Sequence, residues 1–295
     1  MSIIEKAMTR FQPGKEDKDH ITPVISEELL EKNRHLQIED PDIRIGDSLL
    51  EMIGLGGFPT TNNTRRIRNE YRSIKHKLLQ NAFGKGADFH QRGNVMMVTS
   101  ALPGEGKTFS SVNLALSIAS EQDKTVLLID GDVLKPNLLN TMGVTDALPG
   151  VIEYLKNEIS DISDVIYSTT LPRLKVIPSG RPDPSSNELL SSERMKGLVE
   201  ELANRYPDRM IIIDSPPMLS AVESVVLSRL VGQVVVVVEQ DKTRMSDLKE
   251  AIGYLDDNLA IGFLVNKVVH SSFMSKYSYG QGYGYGYGHE AESGS

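Results

Sequence analysis

Val95-Met-Met-Val-Thr-Ser-Ala-Leu-Pro-Gly-Glu-Gly-Lys-Thr-Phe109 decides the fold. A short, continuous apolar run, Val95–Thr99, leads into a Gly-rich loop, Ala101–Thr108. The loop opens a stretch with helical periodicity, Thr108–Glu121. Strand, loop ending in Gly-Lys-Thr, and helix form the context a phosphate-binding loop requires, here with Ala101 in place of the usual first Gly. Gly104 and Gly106 remove the Cβ atoms that would keep backbone N–H groups away from phosphate oxygens. The helix N-terminus adds positive potential. Lys107 is placed to reach the β- and γ-phosphates, and the Thr108 hydroxyl to ligate Mg²⁺.

Outward from this loop, strands and helices alternate. Val126–Ile129, Leu174–Pro178, Met210–Ile213, Val234–Val238 and Gly262–Val265 read as strands. Each is continuously apolar and not alternating, which implies burial on both faces. Ser191–Tyr206, Ala221–Leu230 and Met245–Asp257 read as the intervening helices. The expected fold class is therefore α/β, a mostly parallel sheet with helices on both faces.

Two of these strands end in acid. Val126–Ile129 runs into Asp130-Gly131-Asp132, and Met210–Ile213 into Asp214-Ser215-Pro216-Pro217. In open α/β sheets ligands bind at the carboxyl ends of strands, so all three carboxylates are expected beside the loop. Bare carboxylates would repel a triphosphate, and a bridging Mg²⁺ reverses that sign. Asp130 and Asp214 are thus assigned to the metal shell, directly or through water. Asp132 alone is also compatible with capping a following helix.

The flanks differ. Residues 1–64 read as a polar, Pro-interrupted arm, with a helix expected at Ser26–Leu36. Ile3, Ile4, Ala7, Met8 and Phe11 recur at helical spacing, compatible with a short docking helix for a partner or membrane surface, or with a frayed terminal turn. At Arg65 a strongly basic helix is expected, with Ile67, Tyr71, Ile74 and Leu78 on its apolar face. Such basicity in an acidic protein points to an acidic partner or neighbouring subunit, or to a solvated face. Residues 65–270 are expected to form the catalytic domain. Residues 271–295 form a low-complexity Gly/Ser tail carrying Tyr277, Tyr279, Tyr283, Tyr285 and Tyr287, half of the ten tyrosines in the chain. The absence of Cys excludes disulfides, thiolate metal sites and thiol nucleophiles. A net charge of −8 argues against nucleic acid as a partner. No apolar run approaches the roughly 18–20 residues of a membrane span, and Glu5 and Lys6 interrupt any signal-peptide core.

Taken together, ALPGEGKT, LLIDGDVLKP and IIIDSPP resemble the Walker A, A′ and B motifs of the bacterial P-loop tyrosine kinases (BY-kinases). In particular, EYRSIKHKLLQNAF, IPSGRPDP, NELLSSERM and GQVVVVVE are similar to the free-standing autokinases of exosortase-type (PEP-CTERM) polysaccharide loci. The resemblance covers residues 65–267 and the first few residues. It implies a P-loop NTPase architecture of the MinD/ParA-like kind and an Mg²⁺-ATP-dependent protein-tyrosine kinase. It assigns ATP binding to Pro103, Gly104, Glu105, Gly106, Lys107, Thr108, Phe109 and Asn266, the last as an adenine-edge contact. It assigns metal binding to Thr108, Asp130 and Asp214, and catalysis to Lys107, Asp130 and Asp132, with Asp132 facing the acceptor. The tail tyrosines correspond to the family's autophosphorylation cluster. Implied partners are a membrane polysaccharide chain-length regulator acting as activator, further copies of the chain in a ring or dimer, and a cognate tyrosine phosphatase. The implied location is cytoplasmic, peripheral at the inner face of the plasma membrane.

Two departures stand out. The family often has Arg at one of the positions held here by Leu134 and Lys135. Many relatives carry Glu-x-x-Arg-x-x-Arg for ring assembly, where this chain has Asn69, Arg72 and Lys75.

Chemistry constrains the transfer. A phenol has a pKa near 10 and Asp about 3.9, so full proton transfer to Asp132 before attack costs about 8 kcal/mol. A loose transition state needs little early deprotonation. Asp132 is therefore expected to orient the phenol and accept its proton late. A Gly-rich tether keeps the acceptors at an effective concentration in about the mM range. Phosphorylating all five would add about −7.5 to −10 charge. Two other readings are a nucleotide-switch ATPase that positions cargo, and an ATP-binding scaffold without Tyr transfer. Leu102, where the septum-placing and plasmid-partitioning ATPases have a second Lys, argues against the first. The intact Lys107, Thr108, Asp130, Asp132 and Asp214 set argues against the second.

Overall fold

In the computed structural model the described residues are 41–52, 62–84, 92–205 and 208–269. The chain divides into two units, Met1–Asp40 and Pro41–Ser295, and all described residues belong to the second. The expected helices before residue 40 and the tyrosine tail lie outside them.

The elements run α1 (Asp47–Met52), α2 (Asn62–Phe83), β1 (Val95–Ser100), α3 (Lys107–Ala119), β2 (Thr125–Asp130), α4 (Leu138–Thr141), α5 (Val151–Leu155), a 3-10 turn (Ile162–Val165), β3 (Tyr167–Ser168), β4 (Leu174–Ile177), α6 (Ser186–Leu190), α7 (Glu193–Arg205), β5 (Arg209–Asp214), α8 (Val222–Ser228), β6 (Gln233–Glu239), α9 (Met245–Ile252) and β7 (Ala260–Asn266). The seven strands form one sheet ordered β3-β4-β2-β5-β1-β6-β7. All pairings are parallel except β3 with β4.

Alternate residues of one strand enter different cores. Val95 and Met97 pack with α5, α7, α8 and α9, whereas Met96 and Val98 pack with α2 and α3. Both sets are fully buried, which explains why β1 reads as a continuous apolar run. Six sequence-read strands are present, each within two residues of its expected ends. The exceptions are local. Helix α9 stops at Ile252, not Asp257, and the short α4, α5, α6 and β3 carry too little periodicity to be read in advance.

The folded unit extends N-terminal of residue 65. Ile43, Ile45 and Leu49 are buried in the α2/α3 core. Ile43 bridges to Thr169 in parallel, its N–H donating to the Ser168 carbonyl and its carbonyl accepting from Thr170 N–H. Ile43 therefore adds a single parallel bridge beside β3, and the arm reading fails for the buried residues of this segment.

Helix α2 is amphipathic as expected. Tyr71 and Leu78 are buried, Ile67 and Ile74 partly so, and Arg65, Arg66, Arg72, His76 and Lys77 face outward. Lys75 is the exception among the basic residues. It is buried, donates to the Ser117 carbonyl on α3 at 3.0 Å and pairs with Glu121. It ties α2 to its own core, so one position aligned with the ring-assembly motif is spent inside the subunit.

Candidate active site

The phosphate loop lies between β1 and α3. Gly104 and Gly106 adopt φ of +84° and +94°, a region that side-chain-bearing residues enter only with strain. Gly106 is further required by space, because a Cβ there would lie 2.0 Å from the Asn266 amide nitrogen. Helix α3 starts directly at Lys107, so its free N–H groups face the loop.

A cavity of about 490 Å³ opens over the loop. Pro103, Gly104, Gly106, Lys107, Thr108 and Phe109 line one side; Asp132, Leu134, Lys135, Pro216 and Pro217 line the other. Glu105 and Asn266 are not among its lining residues. The buried Glu105 carboxylate accepts Leu102 N–H at 2.9 Å and the Thr243 hydroxyl. The Asn266 amide donates to the Glu105 carbonyl at 2.9 Å.

Lys107 Nζ pairs with Asp132 Oδ2 at 2.9 Å, both groups largely buried. The other Asp132 oxygen accepts Lys135 N–H at 3.1 Å. Asp132 thus closes a local turn and holds the loop lysine at once; it does not cap α4, whose first N–H, that of Leu138, is taken by Asp130.

Asp130 and Asp214 sit side by side at the ends of β2 and β5, in register. Gly131 makes this approach possible: its N–H donates to the Asp214 carbonyl at 2.7 Å, and a Cβ there would meet that oxygen at 2.8 Å. Asp130 is buried and accepts N–H from Asp132 and Leu138 at 3.2 and 3.3 Å. Burial, and then the charge of Asp214, push its carboxyl well above the ordinary range. Burial likewise raises Asp214 to about 6, although Lys107, Thr108 and Ser111 pull the other way. Ser111 Oγ donates to Asp214 Oδ1 at 2.9 Å, while Asp214 Oδ2 is buried with no hydrogen-bond partner.

That orphaned oxygen beside Thr108 is what a divalent cation fits, since a buried anionic oxygen without a donor is costly. Among the described residues no group of three or more acidic or imidazole side chains is arranged around a metal. A cation here would draw its remaining ligands from phosphate oxygens and water, as Mg²⁺ ordinarily does.

A family model described as an AAA domain matches residues 93–257. The chain is 32% identical over 221 residues to tyrosine-protein kinase YwqD of Bacillus subtilis, covering 72% of this chain and 84% of that one. The chain belongs to the bacterial tyrosine-protein kinase family. Within this family it is 34% identical over 183 residues to tyrosine-protein kinase ptk of Acinetobacter johnsonii, covering 61% of this chain but only 24% of that longer relative. The crystal structure of the VpsO kinase domain superposes with a TM-score of 0.59 at 32% identity, covering 71% of this chain and all of that one. The cavity of this tyrosine kinase accordingly sets the Gly-Lys-Thr loop beside the Asp132 carboxylate. Sequence reasoning missed Thr243, Ser111 and Lys267. Nothing in a linear motif marks them, because they reach the loop or Asp214 through side chains from elsewhere in the fold.

Proposed function

We propose that this kinase transfers the γ-phosphoryl group of ATP to its own C-terminal cluster, Tyr277, Tyr279, Tyr283, Tyr285 and Tyr287. The observation that carries this reading is that Lys107 of the phosphate loop and Asp132 line one cavity and pair there at 2.9 Å.

Gly104–Thr108 bind the phosphates through backbone N–H groups and the α3 N-terminus. Lys107 exchanges Asp132 for phosphate oxygens when nucleotide enters, which frees Asp132 to receive the acceptor hydroxyl. The phenol oxygen then bonds to the γ-phosphorus as the bond to ADP breaks. The phenolic proton passes to Asp132 late, when bond formation has acidified it. Thr108, Asp130 and Asp214 would hold Mg²⁺, directly or through water, and the Asp130 carboxylate, by accepting the Asp132 and Leu138 N–H groups, orients the Asp132 segment. When bound, the ion screens phosphate charge and stabilises charge building on the leaving oxygen. Exposed Leu134 and the neighbouring Pro216 and Pro217 give the cavity an apolar wall suited to a tyrosine ring.

The cellular setting we propose is regulation of exopolysaccharide synthesis or export. The activator would be a membrane chain-length regulator at the cytoplasmic face, reversal would come from a tyrosine phosphatase, and self-association would use the basic face of α2. No helix among the described residues is long and apolar enough to cross a membrane.

The test is incubation with Mg²⁺ and γ-labelled ATP followed by phosphotyrosine mapping. Label is expected in the tail and absent from Lys107→Met and from a chain ending at Ser271. ATP hydrolysis without phosphotyrosine would sink the reading, as would full labelling of the shortened chain.

A further inference from the structure

The phosphate loop has an unexplained source of order. Gly104 adopts φ +84° with open space where a Cβ would lie. Two consecutive residues at the end of β7 touch the loop. Lys267 Nζ donates to the Gly104 carbonyl at 2.7 Å, and Asn266 Nδ2 donates to the Glu105 carbonyl at 2.9 Å. Both donors are themselves braced. Lys267 also binds Glu239 at 3.0 Å, and the Asn266 carbonyl accepts Gln240 N–H at 3.1 Å.

We infer that Asn266 and Lys267 are positioning residues that aim the phosphate-binding N–H groups of the loop. In a planar trans peptide the C=O and N–H point to opposite sides. Holding the Gly104 carbonyl toward Lys267 turns the Glu105 N–H the other way, and holding the Glu105 carbonyl toward Asn266 does the same for the Gly106 N–H. Two successive peptides are thereby set with their N–H groups away from β7, as an anion-binding nest requires. The role differs from an adenine contact for Asn266, because it acts on phosphate whatever base is attached. It also ties the loop to the point where the chain leaves the sheet toward the tyrosine tail. The inference rests on the phosphate-site reading of this loop.

The test compares ADP with inorganic pyrophosphate, which has no base, by calorimetric titration of the full chain. Lys267→Met and Asn266→Ala are each expected to weaken both ligands by the same factor, about fivefold, the worth of one such hydrogen bond. Lys267→Arg should recover most of the loss. Lys242→Met removes a nearby cation that pairs with Glu239 but makes no hydrogen bond to the loop, and should leave pyrophosphate binding unchanged. In the nucleotide-free protein, the Glu105 and Gly106 amides should exchange hydrogen faster in the two weakening variants, while β1 and α3 keep their protection. Unchanged pyrophosphate affinity in Lys267→Met overturns the role of Lys267. Loss of ADP but not pyrophosphate binding in Asn266→Ala overturns that of Asn266 in favour of an adenine contact. An equal loss in Lys242→Met would reduce the effect to general charge and also overturn it. Wild-type protein that binds neither ligand would undo the phosphate-site reading itself.

Discussion

Two groups of buried carboxylates lie at the carboxyl ends of neighbouring strands, and they are built in opposite ways. After β2 and β5, Asp130 and Asp214 are adjacent, raised by burial, and one oxygen has no partner. Beside the end of β4, Glu153 of α5 is also buried but fully answered. It accepts Gly150 N–H at 2.7 Å, Arg181 N–H at 3.0 Å and the Arg181 guanidinium at 2.9 Å. Burial works to raise its carboxyl, yet these donors outweigh it and hold it below the ordinary range. Beside it, Lys156 at 2.8 Å and Ser185 lower Asp183 strongly. Burial is common to both groups; satisfaction is not. The unsatisfied group is the one we propose holds the cation, and the satisfied one is a clamp that fastens α5 to the loop after β4.

The contrast breaks if variants in the first group cost only stability or variants in the second cost only activity. The largest effect is expected from Lys107→Met, which should lower phosphotyrosine formation about 10³-fold, the scale of removing a preorganised charge at the transferring group. Glu153→Ala comes next. It strands the Arg181 and Gly150 donors and should cost about 3 kcal/mol in denaturant unfolding, with ADP affinity unchanged. A parallel loss of ADP affinity would mean the clamp also shapes the site.

Asp214→Asn sharpens the comparison through pH. The folded carboxyl at about 6 lies above its unfolded value, so the folded state binds the extra proton between about pH 4 and 6. Nucleotide- and metal-free protein should therefore lose stability as pH rises through this window, on the order of 2–3 kcal/mol, and the Asn variant should flatten that slope. Glu153 and Asp183, with lowered values, contribute the opposite sign: their stabilisation is present above the unfolded carboxyl range and is lost as pH falls toward the folded values. Unfolding curves from pH 4 to 7.5 in chelator would separate the two. The smallest effect is expected from Lys156→Ala, because that side chain is solvated and its pairing with Asp183 and Glu158 is screened; its melting temperature should move least of the four.

Much of the site was legible beforehand because its signals are local. Val95–Ser100 followed by Gly104, Gly106, Lys107 and Thr108 fixes strand, nest and helix start within fourteen residues. Asp130 and Asp214 were legible because strand ends in a parallel sheet converge. The Lys107–Asp132 pair and the β7 contacts to the loop were not, since they join residues 25 to 163 positions apart. Ile43, Ile45 and Leu49 were misplaced in the arm for the same reason: three apolar residues in a short polar stretch are too few to read, and only the α2/α3 core gives them partners.

The order of apolar runs, the loop glycines and the acid-ended strands were enough to determine a parallel α/β sheet with a nucleotide-phosphate loop at its carboxyl edge. Local chemistry carries that information, because backbone conformation and two-sided burial constrain residue type position by position. Which carboxylates are left unsatisfied and which are answered was decided only by the tertiary structure. That distinction depends on what donors the fold brings within about 3 Å of each oxygen, and no spacing along the chain encodes it.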